Sequence, residues 1–371
     1  MRITRLDAQL LNLPLERPVI TADEARPGTP LDHVFLLIAQ LDTDAGLRGL
    51  GFAWSFGGGR ALLAVAQDDL APLVVGEDPL DHERLAARVL WRLQGVGRRG
   101  LVMQAYSAVD LALWDLKGKA ANLPLYKLLG GARDSAPVYA ADAAWTWMTP
   151  GEIIEASQDY LARGFAGVKL RVGCGDPEQD AGRVQRIRDA LGEDHWLGID
   201  ANQKYDYATA LAMGRFFDEE IGADWFEEPL HCEDVEGHAR LAQRLETPIA
   251  LGESLYHRDE FSRFLERDAV AVLQPDLTRL GGLTPFLKLA AVAEAHHRPI
   301  APHLMPEISV HLACGLPQVT MVEYMPWFYA AWWEPPAIIQ GEIVPPARPG
   351  LGLEINPTTV EQYALFQGKH P

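Results

Sequence analysis

Residues 167–202, GVKLRVGCGDPEQDAGRVQRIRDALGEDHWLGIDAN, decide the fold. The stretch opens on a short β-rich run, GVKLRV, and closes on another, WLGIDA, with a helical segment between them. A strand, a helix and a second strand in that order form a βαβ unit, whose strands pair in parallel. The rhythm extends both ways. PVYAA (137–141) precedes it, and ADWFEE (223–228), PIALGE (248–253), AVLQPD (271–276), PIAPH (299–303) and VTMVEY (319–324) follow. Helical segments separate them. The one opening at Thr149-Pro150-Gly151-Glu152 reads as a capping box with Pro at the first helical position, and Gly164 is its stop. Eight strands with seven intervening helical segments predict a closed TIM-like barrel rather than an open sheet. No helix follows the eighth strand, because the chain enters an aromatic, Pro-rich stretch at 326–350. The expectation is a (β/α)7β barrel over 126–340.

Toward the N-terminus the pattern changes. Short apolar runs at 2–12, 33–42 and 47–54, broken by turn signals such as Asp44 to Gly46, read as an antiparallel meander. From Asp81 to Leu129 apolar residues recur at spacings of three and four, ending at Gly130-Gly131. Residues 1–125 are thus expected to form an α+β domain, and 341–371 to return to it.

Composition narrows the function. The 371 residues carry 33 Lys and Arg against 51 Asp and Glu, a formal charge of −18, with 48% apolar residues. Such a chain is globular, and it repels phosphate backbones and anionic membrane surfaces. The densest basic run is the dipeptide Arg98-Arg99, so no nucleic-acid partner and no membrane partner is expected. Cys174, Cys232 and Cys314 show no metal or redox spacing and read as reduced thiols, consistent with a cytoplasmic protein. No phosphate-binding G-x-x-x-x-G-K-[ST] loop and no helix-opening G-x-G-x-x-G occurs. Gly57-Gly58-Gly59 reads as a loop tip.

Catalytic groups of such barrels stand at the C-terminal strand ends, where the βα loops form the mouth. The polar residues there are Lys169 and Arg171, Asp200 and Asn202, Glu227, Glu253, Asp276, His303 and Glu323, spaced 20 to 29 residues apart from Arg171 onward. Each step is one βα unit, so the set converges on one mouth. Asp200, Glu227 and Glu253 come from three consecutive strands. Three carboxylates without Cys or His are hard oxygen ligands suited to Mg2+, and without a cation they would repel one another and rise in pKa. Glu228 is the fallback for Glu227, since adjacent strand residues point to opposite faces. Lys169 and Arg171 share a face; the lysine is a candidate base if neighbouring cations lower its pKa, and the arginine a carboxylate holder. Asp276 beside His303 would fix the imidazole tautomer in an acid/base pair. Glu323 would donate a proton or hydrogen bond if protonated or paired with a cation. Trp54, Phe56, Trp327, Phe328 and Tyr329 either wall a pocket or pack the two domains together.

These motifs together resemble the enolase superfamily, specifically its mandelate racemase subgroup. The resemblance rests on K-L-R at 169–171, G-I-D-A-N at 198–202, F-E-E-P at 226–229, L-G-E-S at 251–254, Q-P-D with L-G-G at 274–282, A-P-H at 301–303, V-E-Y at 322–324 and A-x-W-D-x-x-G-K at 112–119. It implies an α/β fold in which an N-terminal α+β domain caps a (β/α)7β TIM-like barrel, with cap loops at about 18–30 and 53–60. It implies one Mg2+ per subunit on Asp200, Glu227 and Glu253, His303 with Asp276 as acid/base, and Glu323 as hydrogen-bond donor and Lys169 as neighbour to a small carboxylate substrate. Asn202, Trp54 and Trp327 are the expected substrate contacts, and a homo-oligomer the expected assembly. One position departs from the subgroup pattern: Arg171 stands where a second lysine acts as base. Racemisation needs a base on each face of the α-carbon, whereas dehydration needs one base and one acid. Dehydration of an acid sugar to a 2-keto-3-deoxy acid is therefore the leading expectation, with racemisation, epimerisation or cycloisomerisation through the same enolate as the alternative. Arg26 and Arg60, if they reached the pocket, would favour a diacid.

Overall fold

The computed structural model describes residues 1–19, 31–173 and 175–367. Strands β1 (Ile3–Val19), β2 (Leu31–Thr43) and β3 (Arg48–Ser55) form the antiparallel meander. Alternation along these strands serves two cores. Leu10, Leu37, Ala39, Leu41 and Ala53 pack beneath the helices of the first domain, while Leu11, Leu13, Leu36, Ile38, Phe52 and Trp54 join the core shared with the barrel. The run after β3 is a loop only as far as Gly58, and Gly59 is buried in a helix. Gly58 takes the left-handed φ of 68° and starts helix Gly59–Ala64, and a Cβ on Gly59 would sit 2.7 Å from the Phe35 ring.

The 21-residue helix Leu101–Ala121 is buried along most of its length and ties the domains together. Asp115 accepts from Leu50 N at 2.8 Å and from Leu351 N at 2.7 Å, and pairs with Lys119. Trp114 Nε1 donates to Thr284 Oγ1 at 2.9 Å. The A-x-W-D-x-x-G-K run is thus a fastening between segments distant in sequence.

The barrel strands are β4 (Ala136–Ala140), β5 (Gly167–Arg171), β6 (Trp196–Asp200), β7 (Trp225–Glu227), β8 (Ile249–Leu251), β9 (Val272–Leu273) and β10 (Val322–Tyr324). They pair in parallel from β4 to β9, and β10 pairs with β4. The expected strand PIAPH is reduced to bridges: Ile300 joins Leu273 on one side and Val319 on the other, and His303 faces Asp276. Pro299 and Pro302 remove two ladder donors, which prevents a longer strand. The ring still closes through these bridges. A hairpin of β11 (Ala337–Ile339) and β12 (Glu342–Val344) adds antiparallel to β4, and β13 (Ala364–Gln367) pairs antiparallel with β1. Among the described residues, no helix is long and apolar enough to cross a membrane.

Candidate active site

Parallel register brings the strand ends level: Arg171 sits opposite Asp200, and Asp200 opposite Glu227. The turns beyond them are strained. Asn202, Gln203, Glu228, Leu304 and Met305 take φ between 38° and 66°, so left-handed residues follow β6, β7 and His303 around one mouth.

Asp200, Glu227 and Glu253 each place an oxygen within 4.8 Å of the others. Lys169 lies beneath them, 1% exposed, with Nζ 2.8 Å from Glu227, 2.8 Å from Glu323 and 3.5 Å from Asp200. Gln274 Nε2 donates to the other Glu227 oxygen at 2.7 Å, and Asn202 holds Asp200 through its N at 2.8 Å and Nδ2 at 3.1 Å. Burial and Asp200 push Glu227 up to about 8, and burial raises Asp200 despite Lys169.

The surroundings of Lys169 correct the expectation of a base with lowered pKa. Burial alone would lower it, but Glu227, Glu323 and Asp200 outweigh that and hold it firmly protonated. Glu323 is corrected in the same way. Burial would raise it, but Lys169, His303 and the Leu304 N–H (2.7 Å) hold it down at about 2, so it is an ionised acceptor rather than a donor.

His303 Nδ1 lies 2.8 Å from Asp276 Oδ2, and Nε2 lies 3.4 Å from Glu253 Oε2. Asp276 caps the short helix Leu277–Leu280 and accepts from Thr278 N at 2.7 Å and Arg279 N at 3.1 Å. Burial would raise its pKa, but the His303 bond and charge bring it down to about 2. Burial likewise opposes charge on His303, yet Glu253 and Asp276 raise it. An ionised Asp276 can only accept from Nδ1–H, so Nδ1 carries the proton of the neutral imidazole and Nε2 is the nitrogen that exchanges the second proton.

A cavity of about 330 Å³ opens above this floor, within the range of small-molecule sites. Trp54, Trp327, Asn202, Arg171, Glu253 and His303 line it, so these expected residues share one chamber. Arg171 Nη1 donates to Ala141 O at 2.7 Å, and its guanidinium stacks 3.9 Å from the Trp145 ring centroid. Trp145 in turn stacks on Trp327, with centroids 6.3 Å apart. The aromatic residues both wall the pocket and join the domains, since Trp54 contacts Trp327 and Phe328. Glu228 is buried and faces Gln203 and the cavity, beside rather than within the three-carboxylate cluster.

Arg279 was not among the expected residues. It lines the cavity and donates to Glu253 O at 2.6 Å. Its signal was its place three residues after the strand-end Asp276, in the first turn of a helix. Trp145, Gln203 and Lys204 also reach the cavity from loops that carry no periodic pattern. Arg60 is exposed and outside this lining, and Arg26 and most of the expected 18–30 loop lie outside the described residues.

The buried floor fits a divalent cation. Asp200 and Glu227 lie buried beside Glu253, and burial with their mutual repulsion pushes Glu227 up to about 8, so a divalent cation among them would neutralise charge that Lys169 alone does not. The donor set is oxygen only, as Mg2+ prefers.

Sequence comparison agrees with this architecture. Residues 14–130 match the mandelate racemase/muconate lactonizing enzyme N-terminal domain, and residues 152–359 the enolase C-terminal domain-like family. This chain belongs to the mandelate racemase subgroup of the enolase superfamily. Among members of this family, an L-talarate/galactarate dehydratase of Salmonella typhimurium is 37% identical over 96% of the chain and 89% of its own length. A 3,6-anhydro-alpha-L-galactonate cycloisomerase of Streptomyces coelicolor is 32% identical over 95% of this chain and 97% of its own. The crystal structure of L-talarate dehydratase from Polaromonas sp. JS666, complexed with Mg and L-glucarate, matches with a TM-score of 0.93 and 38% identity over 98% of each chain.

Proposed function

We propose that this member of the subgroup is a Mg2+-dependent lyase that dehydrates an acid sugar to a 2-keto-3-deoxy acid. The observation that carries the reading is the convergence of Asp200, Glu227 and Glu253 with the His303–Asp276 pair at one barrel mouth, with Arg171 opposite. Asp200, Glu227 and Glu253 would hold Mg2+, which supplies positive charge against the oxygens of an enolising carboxylate. Lys169 stays protonated and adds a fixed positive charge beneath them. Arg171, anchored on Ala141 and stacked on Trp145, is a cation for orienting the substrate and not a base.

His303 is then the proton-transfer group. Nε2 takes the proton from the α-carbon, and the C–H electron pair enters the bond toward the carboxylate carbon. Return of that pair toward the β-carbon breaks its C–O bond. The hydroxyl leaves as water with the proton that Nε2 returns, and the enol becomes the ketone by losing its O–H proton to solvent and taking one solvent proton at the β-carbon. Asp276 keeps Nδ1 protonated throughout.

The cycloisomerase relative supports a second reading, in which the same enolate is reprotonated or cyclised without loss of water. Arg171 weighs against a two-base racemase. The test is a stereochemically complete acid-sugar library incubated with Mg2+, read as 2-keto-3-deoxy product. Product abolished by EDTA and by His303→Asn supports dehydration. A blank with α-proton exchange in D2O favours the second reading, and full turnover by His303→Asn overturns the acid/base assignment.

A further inference from the structure

The alternation of β3 points Phe52 and Trp54 at the barrel and Ala53 at the first domain's own helices. Trp54 is 1% exposed, and its Nε1–H donates to Asp276 Oδ2 at 3.2 Å. That same oxygen accepts from His303 Nδ1 at 2.8 Å. The other oxygen, Oδ1, is held by Thr278 N at 2.7 Å, Thr278 Oγ1 at 2.5 Å and Arg279 N at 3.1 Å. The carboxylate is therefore pinned at both ends, one by its own helix and the other by His303 and an indole from a different domain. The indole is fixed in turn: Phe56 lies edge-on at 5.0 Å, Trp327 at 6.0 Å and the Arg279 guanidinium at 5.6 Å.

We infer that Trp54 is a positioning residue as well as a pocket wall: its N–H fixes the carboxylate that orients His303, so the barrel's acid/base pair is completed by the first domain. A carboxylate deprived of this donor keeps its helix cap but regains freedom at the oxygen that His303 uses. The imidazole then loses a single aim, and the loss falls on the chemical step rather than on binding. The inference rests on the proposed proton-transfer role of His303.

Three proteins test it with Mg2+ and the acid sugar they turn over: Trp54→Phe, the chain carrying benzothienylalanine at position 54, and His303→Asn. Benzothienylalanine keeps the indole's shape and replaces N–H by sulfur. Both position-54 variants should lose about tenfold in kcat with KM held within about twofold, as expected for one hydrogen bond to a charged group acting only in the chemical step. Both should also shift the downfield proton resonance of His303 Nδ1–H, identified by its disappearance in His303→Asn. Wild-type kcat and an unshifted resonance in the benzothienylalanine protein would overturn the inference, even if Trp54→Phe were impaired by lost volume. Full turnover by His303→Asn would instead remove the reading beneath it.

Discussion

Lys169 is the sharpest point at which to perturb the site's electrostatics. Lys169→Met removes the ammonium that lies 2.8 Å from Glu227, 2.8 Å from Glu323 and 3.5 Å from Asp200, and leaves those carboxylates buried. Breaking a buried ion pair from one side costs about 3–5 kcal/mol, because the abandoned charge keeps its desolvation penalty. Unfolding entropy of about 2.1 cal/mol/K per residue over 371 residues gives about 0.8 kcal/mol/K, so the expected loss is about 4–6 °C in Tm. Differential scanning calorimetry at pH 7 in EDTA reads it directly. Saturating Mg2+ should narrow the gap, since a divalent cation neutralises the same acids. If Lys169→Met melts within about 1 °C of the wild type in EDTA, the margin of an ordinary surface change, the charge balance argued for the floor is wrong.

Other outcomes follow from the same geometry. Mg2+ at a hundred times its Kd should raise wild-type stability by about 2.7 kcal/mol, or about 3–4 °C, and Glu227→Gln should abolish most of that shift in a thermal titration. Arg171→Met removes a cation from the cavity wall and should lower kcat/KM by roughly 10- to 150-fold, the range of a charge-assisted hydrogen bond; unchanged kinetics would place the substrate elsewhere. Glu307 is fully buried, with one oxygen on Trp332 Nε1 at 3.3 Å, and burial pushes it up to about 8. Between its ordinary 4.5 and about 8, the unfolded chain gives up this proton while the folded one keeps it, so stability falls as pH rises. Glu307→Gln should flatten Tm against pH across that window, and an unaltered slope would refute it.

The barrel and its mouth were legible because a βαβ rhythm and polar strand ends are local patterns. Asp200, Glu227 and Asp276 each end or follow a short apolar run, and parallel register then brings them together without further information. What the sequence hid was pairing. Nothing in K-L-R says that Lys169 sits among acids rather than beside Arg171, because that depends on which side chains cross the barrel. Glu323 is ionised for the same reason. The seventh strand was overread because its apolar residues fit a strand while its two prolines deny the ladder. Helix Gly59–Ala64 was missed because three glycines read as a loop, although Gly58 is the left-handed residue that starts it. Trp54 was placed at the pocket, but its bond to Asp276 spans 222 residues and a domain boundary, and no periodicity encodes such a contact.

The central claim is that this mouth removes an α-proton and expels a β-hydroxyl with Mg2+ bound. The measurement that meets it most directly is turnover of the acid-sugar library in D2O with Mg2+, followed by mass and NMR analysis of product. The account predicts a 2-keto-3-deoxy acid carrying one solvent deuterium at the new methylene carbon, with none formed in EDTA or by His303→Asn. A product that forms equally well in EDTA, or that retains the substrate's own α-hydrogen, would contradict it.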